Sequence, residues 1–255
     1  MDLTGKRIVV TGISKDGIGY ECCKLLASKG AKIAGIDYKT EDGEELANSL
    51  PNMSFYQGDV SDKGKITQTI QQISQDMGGI DTLVNAAAIH ITPSPEDWQP
   101  ADMDRILKVN IEGTVFVNQA VCQEMKKNNP QGGCILNFGS MDAFTSPDGI
   151  YGGTKAAVMT WTRTIAREWA QKYHIRANSI LPVAMTHMYK EFLSSLTDQQ
   201  KEKHFKMMAK RIPISGRPGK PIDIANYVAF LVSDEASYVN GSLIEIDGGD
   251  CMLRG

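Results

Sequence analysis

Short β-branched apolar runs alternate along the chain with longer stretches whose apolar positions recur every three or four residues. An unbroken apolar run marks a buried strand, and a period near 3.6 marks a helix with one buried face. Residues 7–10 read as a strand and 20–28 as a helix stopped by Gly30. A second strand and helix follow at 31–36 and 41–50, a shorter strand at 54–56, a helix at 66–77 and a fourth strand at 82–84. Residues 103–125 carry one long helix or two abutting ones. A strand at 134–138, a long helix at 151–173, a strand at 175–181, a helix at 222–232 and a strand at 242–246 complete the pattern. The polar stretch 187–211 interrupts it.

Such alternation predicts an α/β fold, a Rossmann-like doubly wound parallel sheet with helices on both faces. The 255 residues fit a single domain, and no stretch rich in Pro, Gly or Ser is long enough to be a linker. Ligands of such sheets bind beyond the carboxyl ends of the strands, so every candidate residue is expected to follow a strand.

Composition narrows the classes. Hydrophobic residues at 42%, charged residues at 22% and a formal net charge of −3 are ordinary for a globular protein and leave no basic footprint for nucleic acid or anionic membrane. Residues 1–11 hold only the run Ile8-Val9-Val10, and no apolar run approaches the roughly 20 residues that span a bilayer. A cytoplasmic protein without leader or membrane anchor is expected. The five cysteines form no C-x-x-C pair, which predicts free thiols, and no histidine pair has metal-ligand spacing, so no metal site is expected.

Strand one runs into Thr11-Gly12-Ile13-Ser14-Lys15-Asp16-Gly17-Ile18-Gly19 and then a helix. Glycines there let the backbone approach a pyrophosphate at the helix N-terminus. Strand two ends in Asp37-Tyr38, 18 residues after Gly19. A carboxylate at that position accepts hydrogen bonds from ribose hydroxyls and repels a 2′-phosphate, which favours NAD over NADP. The rival reading of Asp37 is a solvated loop acid, and Lys15 and Lys39 are the residues that would readmit NADP. Asp59-Val60 after strand three offers a carboxylate for the adenine amino group or, on spacing alone, simply the lead into a helix cap at Ser61-Asp62.

Tyr151-Gly152-Gly153-Thr154-Lys155 opens the long helix after strand five. Residues four apart share a helical face, so an ammonium stands beside a phenol whose free pKa of about 10 is too high for a neutral-pH base. A fixed positive charge lowers that value. Strand five ends in Asn137-Phe138-Gly139-Ser140 and delivers a hydroxyl to the same sheet edge.

With these pieces in place the chain resembles the short-chain dehydrogenase/reductase family over almost its whole length. The matching residues are Thr11-Gly12, Gly17-Ile18-Gly19, Asp59-Val60, Leu83-Val84-Asn85-Ala86-Ala87, Val109-Asn110, Ser140, Tyr151, Lys155, Pro182 to Thr186, Val239-Asn240-Gly241 and Asp247-Gly248-Gly249. The resemblance implies Tyr151 as acid/base, Lys155 as tuner of the tyrosine and ligand of the nicotinamide ribose, and Ser140 as partner of the substrate oxygen. It implies Asn110 as holder of a water that links Lys155 to solvent, and Thr186 as a contact of the carboxamide. Gly12, Ser14, Asp16, Gly17, Ile18, Gly19, Asp37, Tyr38, Asp59, Val60, Asn85, Ala86, Ala87, Pro182, Val183 and Thr186 join Tyr151 and Lys155 as expected coenzyme residues. The coenzyme-binding half is expected over about residues 1–140 and the catalytic and substrate half over about 140–255.

The chain departs from the family pattern in three places. Four residues, not three, separate Gly12 from Gly17, which puts Asp16 near the expected pyrophosphate. Ala86 and Ala88 stand where asparagine and glycine are common. Ser140 lies 11 residues before Tyr151, about two fewer than in relatives; Ser146 is the rival and Ser140 is preferred.

Substrate is expected under residues 183–211, where Met185, His187, Met188, Tyr189, Phe192, Phe205, Met207 and Met208 offer adaptable apolar surface, or else pack the segment onto the sheet. His90, Met141, Asp142 and Phe144 are candidates for the opposite wall. The leading reading is an NAD-dependent oxidoreductase interconverting a secondary alcohol and a ketone, both small molecules. The alternatives are an NADPH-dependent 3-oxoacyl thioester reductase and a catalytically inactive coenzyme-sensing or scaffold protein. The resemblance also implies a homotetramer, with the helices at 103–125 and 151–173 pairing across subunits and Trp161 and Trp169 buried there.

Overall fold

Seven strands, the central ones apolar on both faces, assemble into one parallel sheet in the computed structural model, which describes residues 1–145 and 149–251. They are β1 (Arg7–Thr11), β2 (Lys32–Asp37), β3 (Met53–Gln57), β4 (Thr82–Asn85), β5 (Gly133–Phe138), β6 (Ile175–Pro182) and β7 (Leu243–Ile246), in the order β3-β2-β1-β4-β5-β6-β7. The principal helices are α1 (Ile18–Ser28), α2 (Glu41–Ser49), α3 (Lys63–Met77), α4 (Pro100–Leu107), α5 (Thr114–Met125), α6 (Asp142–Thr145), α7 (Gly149–Tyr173), α8 (His187–Ser195), α9 (Asp198–Arg211) and α10 (Pro221–Val232). The α/β class, parallel sheet and doubly wound order are as the residue pattern predicts.

Side-chain alternation along β1 sorts the two cores. Ile8 and Val10 join Leu26 of α1 and Val228 of α10 on one face, while Val9 joins Ile70 of α3, Val121 of α5 and Ile165 of α7 on the other. All of these are at most 1% exposed. Burying each such side chain contributes roughly 1.5–3 kcal/mol, so the sheet is clamped from both sides. The register sets Thr11 beside Ile36 and Asn85, and Asn85 beside Asn137. Strand order reverses at β1 and β4, and the carboxyl ends of β1, β2, β4 and β5 therefore open together onto one cleft.

Three local outcomes go beyond the sequence reading. Helix α3 starts earlier than expected because Asp62 caps it, accepting from the Lys65 amide at 3.0 Å. The stretch 103–125 is two helices, α4 and α5, joined by a wide turn of i→i+5 bonding over Lys108–Gly113. The polar stretch 187–211 folds as α8 and α9; α9 is opened by a capping box in which Thr197 and Gln200 bond each other's backbone. Of these two helices only Met208 is buried, so the segment carries little of the apolar periodicity that marks a helix.

Candidate active site

Strand β5 ends at Phe138, and Gly139 donates to the Ile180 carbonyl at 2.9 Å, which keeps the chain in register with β6 up to Ser140. Helix α7 then brings Tyr151 and Lys155 to the same edge. Lys155 is 4% exposed, and its Nζ donates to the Phe138 carbonyl at 3.1 Å. The ammonium lies 5.6 Å from the centre of the Tyr151 ring. Burial is the main influence on Lys155 and drops its pKa to about 8, with the Asp142 charge acting in the opposite sense. Tyr151 is 9% exposed, and the His90 ring meets it edge to face with centres 4.5 Å apart.

Ser140 is 8% exposed and is tied to Asp142 through both its oxygen and its proton. The rival Ser146 lies outside the described residues.

Asn110 sits on the wide turn between α4 and α5, a helix distortion often found at functional sites. Its side chain accepts from the Ile89 amide and donates to the Ile89 carbonyl, both at 2.9 Å. It also donates to Thr154 Oγ1 at 3.2 Å, and Thr154 donates to the Tyr151 carbonyl at 2.7 Å. Asn110 thus pins the loop after β4 to the first turn of α7. Thr154, between Tyr151 and Lys155 in sequence, is a residue that the motif reading missed. Its signal was there: three residues after Tyr151, a threonine reaches back to that carbonyl.

The coenzyme end is built from the Gly12–Gly19 turn. Gly12 has φ +72°, and a methyl group added there would lie 2.6 Å from the Ala87 Cα. The turn and the Ala86–Ala87 loop therefore close on each other so tightly that only glycine fits. Helix α1 begins after Gly17 with no side-chain cap, leaving its first amides for an incoming acceptor.

Asp37 is 7% exposed at the end of β2. Its Oδ2 accepts from the Ile13 amide at 2.8 Å and from Ser14 Oγ at 3.2 Å, and its Oδ1 accepts from the Lys39 amide at 3.2 Å. Lys15 is engaged by Glu45 at 3.0 Å, while Lys39 lies over the exposed Tyr38 ring at 5.7 Å. Asp59 Oδ1 accepts from the Ser61 amide and hydroxyl, so this carboxylate carries the local turn into α3. Val60 is packed into the core. Asp16, in the left-handed region at φ +62°, pairs with Lys190 of α8 at 2.6 Å.

The Asn85 side chain turns into the sheet. It accepts from Thr11 Oγ1 at 2.7 Å and donates to Asn137 Oδ1 at 3.2 Å. Asn137 continues the buried network to Asn118 and Thr162, and the Trp161 indole donates to Asn118 at 3.1 Å. Trp161 and Trp169 meet edge to face at 6.0 Å and, partly buried, pack against the core on the α3, α5 and α7 face.

Beyond β6, the Val183 amide donates to the Ile246 carbonyl at 3.1 Å, so Pro182 and Val183 stay paired to β7 at the cleft edge. Thr186 caps α8, accepting from the Tyr189 amide at 3.4 Å. In the candidate substrate segment Phe192, Phe205 and Met207 are each at least 40% exposed, whereas Met208 is packed inside. Among the described residues, no group of three or more His, Cys, Asp or Glu side chains could hold a metal ion, and no helix is long and apolar enough to cross a membrane. All five thiols are free.

A family model described as enoyl-(acyl carrier protein) reductase matches residues 12–250. The 3-oxoacyl-[acyl-carrier-protein] reductase FabG of Thermotoga maritima is 34% identical, covering 98% of this chain and 99% of its own. The NAD-dependent glycerol dehydrogenase of Listeria innocua is 31% identical, over 97% and 94%. The crystal structure of a 3-ketoacyl-(acyl-carrier-protein) reductase from Brucella melitensis complexed with NADH superposes with a TM-score of 0.86 at 28% identity, covering 98% of this chain and 99% of that one. These matches show that the chain belongs to the short-chain dehydrogenase/reductase family of oxidoreductases.

Proposed function

We propose that the protein is an NAD-dependent oxidoreductase that interconverts a secondary alcohol and a ketone. The observation that carries this reading is the buried Lys155 ammonium, 3.1 Å from the Phe138 carbonyl and 5.6 Å from the Tyr151 ring centre. A charge desolvated beside a phenol favours the phenolate. Tyr151 then takes the hydroxyl proton of an alcohol, or returns it to a ketone oxygen, while the Ser140 hydroxyl holds that oxygen as charge develops. Asn110 and Thr154 keep the first turn of α7 at the sheet edge.

The uncapped start of α1 fits a dinucleotide's diphosphate, with Gly17, Ile18 and Gly19 presenting backbone to it. When bound, the nicotinamide coenzyme supplies the hydride acceptor or donor. Asp37 and Tyr38 would face the adenosine ribose, and Asp37 places a carboxylate where a 2′-phosphate would have to sit. Asp59, Ala86, Ala87 and Thr186 complete the expected coenzyme shell. The reading includes a homotetramer formed through the long helices; a monomeric mass in light scattering would contradict that part.

The FabG relative favours a second reading, reduction of a 3-oxoacyl thioester. The test is reduced-coenzyme formation or consumption with NAD and NADP over a panel of secondary alcohols, polyols, hydroxysteroids and 3-oxoacyl thioesters. Turnover with NAD on an alcohol, lost by 10²-fold or more in Tyr151→Phe, is expected. Turnover confined to thioesters with NADPH would replace the leading reading by the second.

A further inference from the structure

His187 opens α8, directly after its cap Thr186, and its Nδ1 is fully enclosed with no hydrogen-bond partner. A buried polar nitrogen without a partner is costly, and a group able to complete it lowers that cost. The surroundings say what that group is. A methyl group added to Gly17 would lie 3.8 Å from His187 Nδ1, so the imidazole abuts the turn that precedes the uncapped N-terminus of α1. One helical turn further, Lys190 pairs with Asp16 of the same glycine turn. Helix α8 is therefore laid across the glycine turn by its first turn, with the His187 nitrogen against Gly17 and the Lys190–Asp16 pair beside it. A cavity of about 360 Å³ adjoins this contact, lined by Asp16, Glu21, Met185, Lys190, Arg217 and Lys220 among others.

We infer that His187 is a ligand of the coenzyme's diphosphate, contributed by the segment that covers the substrate site. This rests on the proposed use of a nicotinamide coenzyme and extends it. An imidazole N–H directed at a diphosphate oxygen forms a charge-assisted bond, stronger than a neutral one. The same bond joins coenzyme to α8, so an occupied coenzyme site holds the cover of the substrate site in place. Lys190 and Asp16 contribute the outer tether, and their mutual pairing leaves the inner contact to His187.

The experiment measures binding rather than turnover. Dissociation constants for NADH, ADP-ribose and adenosine are determined by calorimetry and by competition against NADH fluorescence, for the wild type, His187→Ala and His187→Asn. Thermal unfolding of each coenzyme-free protein checks the fold. The expected result is that His187→Ala weakens NADH and ADP-ribose about tenfold or more and leaves adenosine unchanged. His187→Asn, which keeps an N–H donor near the Nδ1 position, recovers most of the loss. Protection of residues 187–211 from hydrogen exchange by NADH should fall in His187→Ala. Wild-type binding of NADH with no change in either variant overturns the role of His187 alone. Equal weakening of adenosine also overturns it, since the defect would then not be at the diphosphate. Failure of the wild type to bind any dinucleotide overturns the coenzyme reading and this inference with it.

Discussion

The Ser140 hydroxyl donates to Asp142 Oδ2 at 3.0 Å, and the Asp142 amide donates back to Ser140 Oγ at 3.1 Å. The backbone bond fixes where the oxygen sits; the carboxylate holds its only proton. A substrate carbonyl that needs that proton must compete with a charged acceptor. Ser140→Ala is therefore expected to lower kcat/KM by about 10²-fold or more, the usual scale for removing an oxyanion donor. Asp142→Ala keeps the backbone bond and removes the competitor, so ketone reduction should hold or improve a few-fold. Steady-state kinetics of both variants decide the point, and a loss in Asp142→Ala equal to that in Ser140→Ala would place the carboxylate in the reaction itself.

The proposed catalytic role of Lys155 and its effect on stability run in opposite senses. Burial holds its pKa near 8, below the unfolded value of about 10.4. Between those values the unfolded chain binds more protons than the fold, so this group's contribution to stability rises with pH across that window. Below pH 8 the full cost of burying the charge is present, on the order of 3 kcal/mol. Lys155→Met should abolish turnover while raising Tm by a few degrees at pH 7, with the gain shrinking as pH approaches 10.5. Calorimetric melting of the two proteins across pH 7–10 is the measurement. A lower Tm in the variant would show that the bond to Phe138 outweighs the desolvation.

Two substitutions separate the expected coenzyme role of Asp37 from its structural one. Its carboxylate is expected to exclude a 2′-phosphate, and it also accepts the Ile13 amide and Ser14 hydroxyl of the glycine turn. In Asp37→Ser the ratio of kcat/KM for NAD over NADP should fall by at least tenfold. Asp37→Asn keeps an acceptor for the turn without the charge, and should shift the same ratio with a smaller loss of Tm than Asp37→Ser. Unchanged selectivity in both variants would mean that another residue sets the preference.

Most of the fold and the candidate Tyr151–Lys155 edge were legible because they depend on local patterns. Ile8, Val9 and Val10 are buried on both faces of a parallel sheet, so they read as one apolar run. Tyr151 and Lys155 share a helix face by spacing alone. What stayed hidden depends on contacts distant in sequence. The turn around Asn110 is stabilised by pairing with Ile89, 21 residues away, and no local signal marks it. Asn85 looks like a coenzyme residue by motif, yet its amide is bound to Thr11 and Asn137. Asp16 met Lys190 across 174 residues of chain. The helices at 187–211 bury so little that only their caps betray them.

The packing of α8 against α9 carries its own pH sensitivity. Tyr189 Oη and His204 Nε2 share a hydrogen bond of 2.7 Å between α8 and α9, with Phe192 and Phe205 against the imidazole. Burial, and then the positive charge of Arg211, hold the His204 pKa below its usual value. Burial raises the Tyr189 pKa, so its phenol stays protonated across the physiological range. The packed segment therefore prefers a neutral ring, while the unfolded one takes up a proton near the ordinary histidine pKa of about 6.5. By linkage, the stability of this packing is complete above that value and is lost as pH falls below it. Limited proteolysis within residues 187–211 should accelerate between pH 7.5 and pH 5.5. In His204→Phe, which keeps the aromatic packing and removes the titrating group, that acceleration should be reduced at least threefold. An acceleration equal in both proteins would assign the sensitivity to carboxylates elsewhere on α8 and α9 and remove His204 from the account.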